Sequence, residues 1–197
     1  MLIAGVDEVG KGALAGPIAV GICVVDTNTE TLKPAGLNDS KKVSAPRRVR
    51  MAPKIMAWCE DWSLGMATAA EIDDHGIMGA QVVAANRALA GLSEKLELDM
   101  IDQWIVDGDW NFMGDLPNLR CIPKADGKFP AVSAASILAK VGRDGLMEKH
   151  AVEYPDYGFE RHSGYGTKAH MAAIREHGPC VEHRVTWAPF REMATLF

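Results

Sequence analysis

The sequence predicts a mixed α/β fold, a five-stranded sheet with helices packed on its faces. Short apolar runs rich in Val and Ile recur along the chain, two long stretches repeat apolar residues at helical spacing, and the two kinds alternate. Leu2–Asp7 (LIAGVD) and Pro17–Val25 (PIAVGICVV) are two such runs, split by the glycine-rich GKGALAG, and most simply form a hairpin. A polar loop with Asn38, Asp39 and Ser40 leads to a helical stretch over Ala45–Cys59, where Pro53 demands a late start or a kink. Trp62–Ala69 is the third strand. Glu71–Leu96 is the longest helical pattern, its apolar face drawn from Ile72, Ile77, Val82, Val83, Leu89 and Leu92, with Gly76 and Gly79 weakening its start. Met100–Val106 is the fourth strand and Leu119–Ile122 a short fifth. Ser133–His150 is the second long helix, with Ile137, Leu138, Val141 and Leu146 as its apolar positions. From Tyr154 onward Gly, Pro, His and aromatics mark loops, with one short helix near Lys168–Glu176. No repeat and no long linker divides the chain, so one domain over residues 1–197 is expected.

Composition narrows the class. At 197 residues, 48% hydrophobic and 24% charged, the chain can bury a core without staples and is neither collagen-like nor disordered. No apolar run approaches the ~18 residues that suggest a membrane span. Asp7 and Glu8 interrupt what would be the apolar stretch of a signal peptide, so an intracellular protein is expected. Cys23, Cys59, Cys121 and Cys180 stand singly, which reads as small core hydrophobes rather than a zinc site or disulfides. The net charge of −5 argues against a simple nucleic-acid coat. Its distribution is uneven: Lys33 to Lys54 holds seven basic residues and one acidic, Glu94 to Asp115 seven acidic and one basic. A basic flank beside carboxylates suits a phosphate backbone held against metal ions; two solvated faces explain the same runs.

The glycine segment fails both nucleotide fingerprints. The third glycine comes one residue late for a dinucleotide turn, and Gly12 rather than Ser or Thr follows Lys11. A turn whose glycines let the backbone approach something closely is the plainer reading. Carboxylates say more. Asp7 and Glu8 close one apolar strand and Asp107 another, while Asp126 lies between the fifth strand and the helix after it. Ligands gather beyond the carboxyl ends of strands in open α/β sheets. For Asp7 and Glu8 to reach one site, the chain must leave strand geometry there, because successive strand residues point to opposite faces. Four such acids would repel unless divalent cations neutralised them, and Mg2+ or Mn2+ takes oxygen ligands while leaving room for water and phosphate. Most of the 26 acidic residues must be solvated surface, so this choice of four is weak on composition alone.

GVDEVGKGALAGP, NDSKKVS, IVDGD, KADGKFPAVSAASILAKVGRD and HSGYGTKAH occur in this order, spanning roughly Leu2 to His170. The set resembles ribonuclease HII, the type 2 ribonucleases H. That resemblance implies an RNase H-like mixed sheet with a small helical C-terminal extension, about residues 151–197. It implies a cytoplasmic enzyme, monomeric as the family default and without membrane association, cutting RNA–DNA hybrids and DNA duplexes that contain ribonucleotides. Cleavage is implied on the 5′ side of the ribonucleotide by two metal ions, Mg2+ or Mn2+, leaving 3′-hydroxyl and 5′-phosphate ends, and serving removal of misincorporated ribonucleotides and RNA primers. By the same resemblance Asp7, Glu8, Asp107 and Asp126 are the catalytic metal-binding acids. Gly10, Lys11 and Gly12 read the ribonucleotide through its 2′-OH, which alone separates RNA from DNA at one nucleotide. Tyr165 matches the tyrosine that stacks on the neighbouring deoxyribose, against the reading of an ordinary packed aromatic. Lys41, Lys42, Arg48 and Lys140 match phosphate contacts, against that of solvated charges.

The sequence departs from the family at several points. Lys11 stands where many bacterial members carry Arg, and an ammonium cannot bind phosphate bidentately. EHRVTWAPF follows the family's tail only loosely, so no role is assigned there, and REMATLF shows no clear clamp-binding pattern. The six histidines lie mostly in polar surroundings and read as surface or supporting residues, not metal ligands. Asp144 is a fifth acid and the replacement should Asp126 not serve; the five tryptophans read as core. Two rivals stand beside this reading. Another nuclease of the same broad fold would cut a substrate with no ribose, and a non-catalytic hybrid binder would never turn over with Mg2+ or Mn2+.

Overall fold

The computed structural model describes residues 1–188, 190 and 191, so the REMATLF tail beyond Arg191 lies outside the described residues. Five strands form one mixed sheet in the order β3–β2–β1–β4–β5. β1 (Leu2–Val9) pairs antiparallel with β2 (Ile18–Asp26), which pairs antiparallel with β3 (Asp61–Ala67). On its other edge β1 pairs parallel with β4 (Gln103–Asp107), and β4 parallel with β5 (Leu119–Ile122). The expected hairpin and all five expected strands are present, although β1 runs on past Asp7 to Val9.

β2 is buried from Ile18 to Val25 because both its faces are covered. Strand side chains alternate between faces, and its residues serve two cores accordingly. Ile18, Val20, Ile22 and Val24 pack with Ile72, Ala84 and Ala88 of α2 (Ala69–Ser93). Cys23 and Val25 pack with Ile55 of α1 (Ala45–Trp58) and with Ala134 and Ile137 of α3 (Pro130–Glu153). α3 approaches the sheet very closely: a Cβ at Gly5 would lie 2.2 Å from the Ala131 backbone, and one at Gly21 2.6 Å from the Ala135 carbonyl oxygen. Its small-residue opening, PAVSAAS, permits that approach and sets α3 directly over the face of β1 that carries Asp7.

The helices correct the expectations in detail. α1 carries Pro53 without interruption, since Pro53 and Val49, whose carbonyl loses its donor, are both exposed, where solvent can satisfy that carbonyl. α2 starts at a capping box: Thr68 Oγ1 accepts from Glu71 N–H at 3.2 Å, and Glu71 Oε2 accepts from Thr68 N–H at 2.9 Å. It breaks at Gly76, whose φ of 68° belongs to the left-handed region, so the single long helix is two pieces. α3 begins at Pro130 rather than Ser133, proline suiting a first helical turn.

Beyond α3, the short α4 (Phe159–His162) was not anticipated, while α5 (Lys168–His177) matches the expected helix. Tyr157, Phe159, Ile174 and Phe190 enclose Leu14 and Ala15 of the glycine segment and Met147 of α3. Of the tryptophans only Trp104 is fully buried; the others are half-buried. Cys23 and Cys59 are core, but Cys121 and Cys180 are half-buried, and all four thiols are free. The histidine expectation fails for two residues: His170 and His183 are 0% and 2% exposed. Their ring nitrogens form a relay, Cys180 N–H to His183 Nδ1 at 3.0 Å, His183 Nε2 to His170 Nε2 at 3.1 Å, and His170 Nδ1 to the Tyr165 carbonyl at 3.0 Å. The carbonyl must accept, so each ring in turn carries one proton and both are neutral.

Candidate active site

Parallel pairing of β1 and β4 ends at Val6 opposite Val106, which brings the next residues, Asp7 and Asp107, side by side. Asp126 comes from a single 3₁₀ turn, Ala125–Gly127, at the entrance to α3. That turn is tied down twice: Ala125 N–H donates to Asp107 Oδ1 at 2.6 Å, and Ser133 Oγ donates to the Asp126 carbonyl at 2.5 Å. One carboxylate oxygen from each of Asp7, Asp107 and Asp126 lies within 4.8 Å of the others. Asp7 and Asp126 are 7% and 8% exposed.

No lysine or arginine among the described residues pairs with these acids, and their protonation shows it. Burial pushes the Asp7 carboxyl up to about 8, with Glu8 and Asp107 adding repulsion and the Ser136 hydroxyl offsetting part of the rise. Burial, then Asp107 and Asp39, raise Asp126 as well. Glu8 is raised by burial and by Asp107, while Lys11 opposes the shift. The expected departure from strand geometry at Glu8 does not occur. The chain keeps strand geometry through Val9, with Glu8 paired to Val20, so its side chain leaves on the face opposite Asp7 and stays outside the three-acid group. It lines the same cleft nevertheless.

This cleft holds about 420 Å3 and is lined by Asp7, the Gly10–Lys11–Gly12 turn, Lys41, Arg48, Lys140 and Tyr165. Lys42, in the same 3₁₀ turn as Lys41, is exposed and is not among the lining residues. Arg48 is a brace as much as a lining group, donating to the Ser40 and Val43 carbonyls at 2.9 and 2.6 Å. Lys140 Nζ lies 2.7 Å from Asp144 Oδ1 and 5.4 Å from the Tyr165 ring centroid. Asp144 is thereby occupied, with Arg48 as a second cation at 3.8 Å, and it does not join the acid group. Lys11 points its ammonium over Trp110, 5.9 Å from the ring centroid.

Three contributors escaped the sequence reading. Ser136 on α3 and Ser40 share a hydroxyl–hydroxyl hydrogen bond at 2.9 Å, which links the basic loop to the helix beneath it. Arg143 and Arg184, both 0% exposed, hold the glycine segment from below. Nothing in a sequence marks a buried arginine, because the residue type is ordinarily exposed. The one signal was position: Arg143 stands three residues after Lys140 in AKVGRD, on the same helical face.

Comparison with known proteins agrees with this geometry. The family model described as Ribonuclease HII matches residues 4–190. A protein named Ribonuclease HII from Bordetella pertussis is 42% identical over 195 residues, covering 96% of this chain and 90% of the relative. Ribonuclease H2 from Pyrococcus horikoshii OT3 has the same fold with a TM-score of 0.80 at 27% identity, covering 100% of this chain and 98% of that one. Bst-RNase HIII, crystallised with Mn2+, shares the fold at a TM-score of 0.75 and 21% identity, covering 100% of this chain and 70% of that one. With the family model spanning nearly all of its length and relatives above two-fifths identity, this chain belongs to the ribonuclease HII family of endoribonucleases.

Proposed function

We propose that this protein cuts the phosphodiester on the 5′ side of a ribonucleotide, in RNA–DNA hybrids and at single ribonucleotides embedded in duplex DNA, leaving 3′-hydroxyl and 5′-phosphate ends. One observation carries the reading: Asp7, one of three clustered carboxylates, lines the same cleft as a glycine turn, a tyrosine and several cations.

The donor set suits hard divalent cations. It is all oxygen, without sulfur or imidazole; no cation among the described residues forms an ion pair with it, and burial, with neighbouring like charges, raises the Asp7 carboxyl to about 8. Asp7, Asp107 and Asp126 would hold Mg2+ or Mn2+, with Glu8 at the margin of the site. Two bound cations would supply Lewis-acid activation of water and charge stabilisation at the leaving oxygen. The chain's own groups do the rest. Lys41, Lys140 and Arg48 face the cleft and meet the phosphate backbone, Lys42 reaching it further out. Tyr165, backed by Lys140 and Arg143, presents its ring to a sugar. The Gly10–Lys11–Gly12 turn offers main-chain groups to the 2′-OH, and Gly12 has open space where a side chain would stand. The protein acts as a monomer in this reading.

The test is a labelled DNA duplex with one ribonucleotide, incubated with Mg2+ or Mn2+ beside an all-DNA duplex and the Asp7→Asn variant. One cut immediately 5′ of the ribonucleotide, absent from both controls, is the expected result. Equal cutting of the all-DNA duplex overturns it.

A further inference from the structure

Two guanidinium groups lie beneath the glycine turn, and every hydrogen bond they make goes to a main-chain carbonyl. Arg184, in the C-terminal segment, donates through Nη2 to Gly10 at 2.7 Å and Gly16 at 2.9 Å, through Nη1 to Lys11 at 3.1 Å, and through Nε to Gly16 at 3.1 Å. Arg143, on α3, donates to Pro17 at 2.7 Å, Ala15 at 3.0 Å and Ser163 at 2.9 Å. The segment bearing Arg184 also forms a β-bridge with the turn's far end, Ala15 opposite His183, and Gly16 N–H donates to the Glu182 carbonyl at 2.8 Å.

Peptide geometry turns these bonds into a statement about the cleft. A trans peptide carries its C=O and the following N–H on opposite sides, and the chain has no cis peptide bond among the described residues. With the Gly10 and Lys11 carbonyls drawn down to Arg184, the N–H groups of Lys11 and Gly12 must point the other way. Neither has a protein acceptor among the described residues. The conformation belongs to glycine: Gly10 has φ of 89°, and a Cβ there would stand 2.2 Å from Arg143 Nε. Arg143 joins the two halves of the recognition surface, since it binds Ser163 beside Tyr165 as well as the turn.

We propose that Arg184 is a positioning residue for ribonucleotide recognition: by holding the carbonyls of Gly10 and Lys11 from beneath, it presents the Lys11 and Gly12 amides to the substrate's 2′-OH and adjoining phosphate. The C-terminal segment around residue 184 is thus part of the specificity apparatus, not a cover for the core. This rests on the reading of the turn as the 2′-OH sensor.

The experiment measures KM and kcat for cleavage of a duplex with one ribonucleotide, and Ki for an all-DNA duplex as competitor, in the wild type, Arg184→Met and Arg184→Lys. The ratio Ki/KM reports discrimination for the ribonucleotide. Arg184→Met is expected to reduce that ratio by about 10- to 100-fold with Ki unchanged. Arg184→Lys keeps the buried charge but cannot reach three carbonyls at once, so its ratio falls between the two. The thermal shift on adding Mn2+, which reads the carboxylate group, stays at the wild-type value in both. A merely structural arginine would lower melting temperature and active fraction while leaving the ratio alone, and that result overturns the proposal. Should Arg184→Met not fold, Arg184→Lys decides, and a wild-type ratio in that variant overturns it equally. Equality of Ki and KM in the wild type would instead refute the turn as a 2′-OH sensor.

Discussion

The acid group and the arginine pair both gather like charges away from water, and they resolve the repulsion in opposite ways. Ionised, Asp7, Asp107 and Asp126 would offer only acceptors to one another, so the group is incomplete within the chain, and burial keeps Asp7 protonated up to about pH 8. Arg143 and Arg184 offer only donors, but main-chain carbonyls meet them. Burial, then the proximity of Arg143, draws Arg184 down to about 9, still protonated at neutral pH. A guanidinium can be satisfied by backbone the fold already has; a cluster of carboxylates has to recruit cations from outside. The first arrangement gives a permanent brace and the second a site that loads.

The sharpest break in the comparison comes from neutralising one member of each. Asp7→Asn should lower kcat by about 10²- to 10³-fold or more, while the metal-free protein melts no lower than wild type because a buried like charge is gone. Steady-state assay and thermal melts of the same preparation check both halves. Arg143→Met should do the reverse to stability, costing about 3 kcal/mol or more in urea denaturation, since the Ala15, Pro17 and Ser163 carbonyls lose their donor.

Next in size are two pH effects of differing origin. Burial, with the charge of the neighbouring ring adding in the case of His183, lowers His170 and His183 to about 4. An unfolded chain binds more protons than the native one between about pH 6.5 and pH 4, so stability is full above 6.5 and falls by a few kcal/mol, to order of magnitude, as pH drops through that window. Protonating His170 at Nε2 sets it against the His183 Nε2–H, and protonating His183 at Nδ1 sets it against the Cys180 N–H. For Asp7 the sign is opposite. The native metal-free protein binds more protons than the unfolded chain between about pH 4 and pH 8, so its stability from this group declines as pH rises. Metal binding has to displace that proton, and apparent Mn2+ affinity at pH 6 should be up to about 100-fold weaker than at pH 8 by calorimetry. An affinity flat in pH would show that Asp7 is not a ligand.

Lys140→Met has the smallest expected effect on the fold. Its ion pair with Asp144 is partly solvated and worth under about 1 kcal/mol. Removing one phosphate contact should lessen the slope of log affinity against log salt by about 0.9. An unchanged slope would make Lys140 a partner of Asp144 and Tyr165 alone.

Much of this molecule was legible because its signals are local. β5 forms over the residues expected, α5 to within one, and the apolar runs of β1 and β2 pair as a hairpin, since each depends on neighbours in sequence. Asp107 stood out because a carboxylate closing an apolar strand is anomalous on its own terms, and Asp126 was singled out by the motif that carries the family resemblance. An early break in β1 was expected because a glycine stands two residues after Glu8, whereas eight cross-strand partners keep the strand regular to Val9. His170 and His183 were misread for a different reason. Their neighbours in sequence are polar, but those around the rings are Phe159, Phe190 and each other.

By itself the sequence determined the five strands, the longer helical segments and the family, all properties of residue type and near spacing. Only the tertiary structure decided that Asp7 and Asp107 stand side by side while Glu8 does not, which follows from parallel register and strand alternation. It alone decided that Arg184 holds the carbonyl of Gly10 across 174 residues of chain. A buried cation is recognised by the acceptors that surround it, and those acceptors are main-chain atoms, identical at every residue and invisible in any sequence.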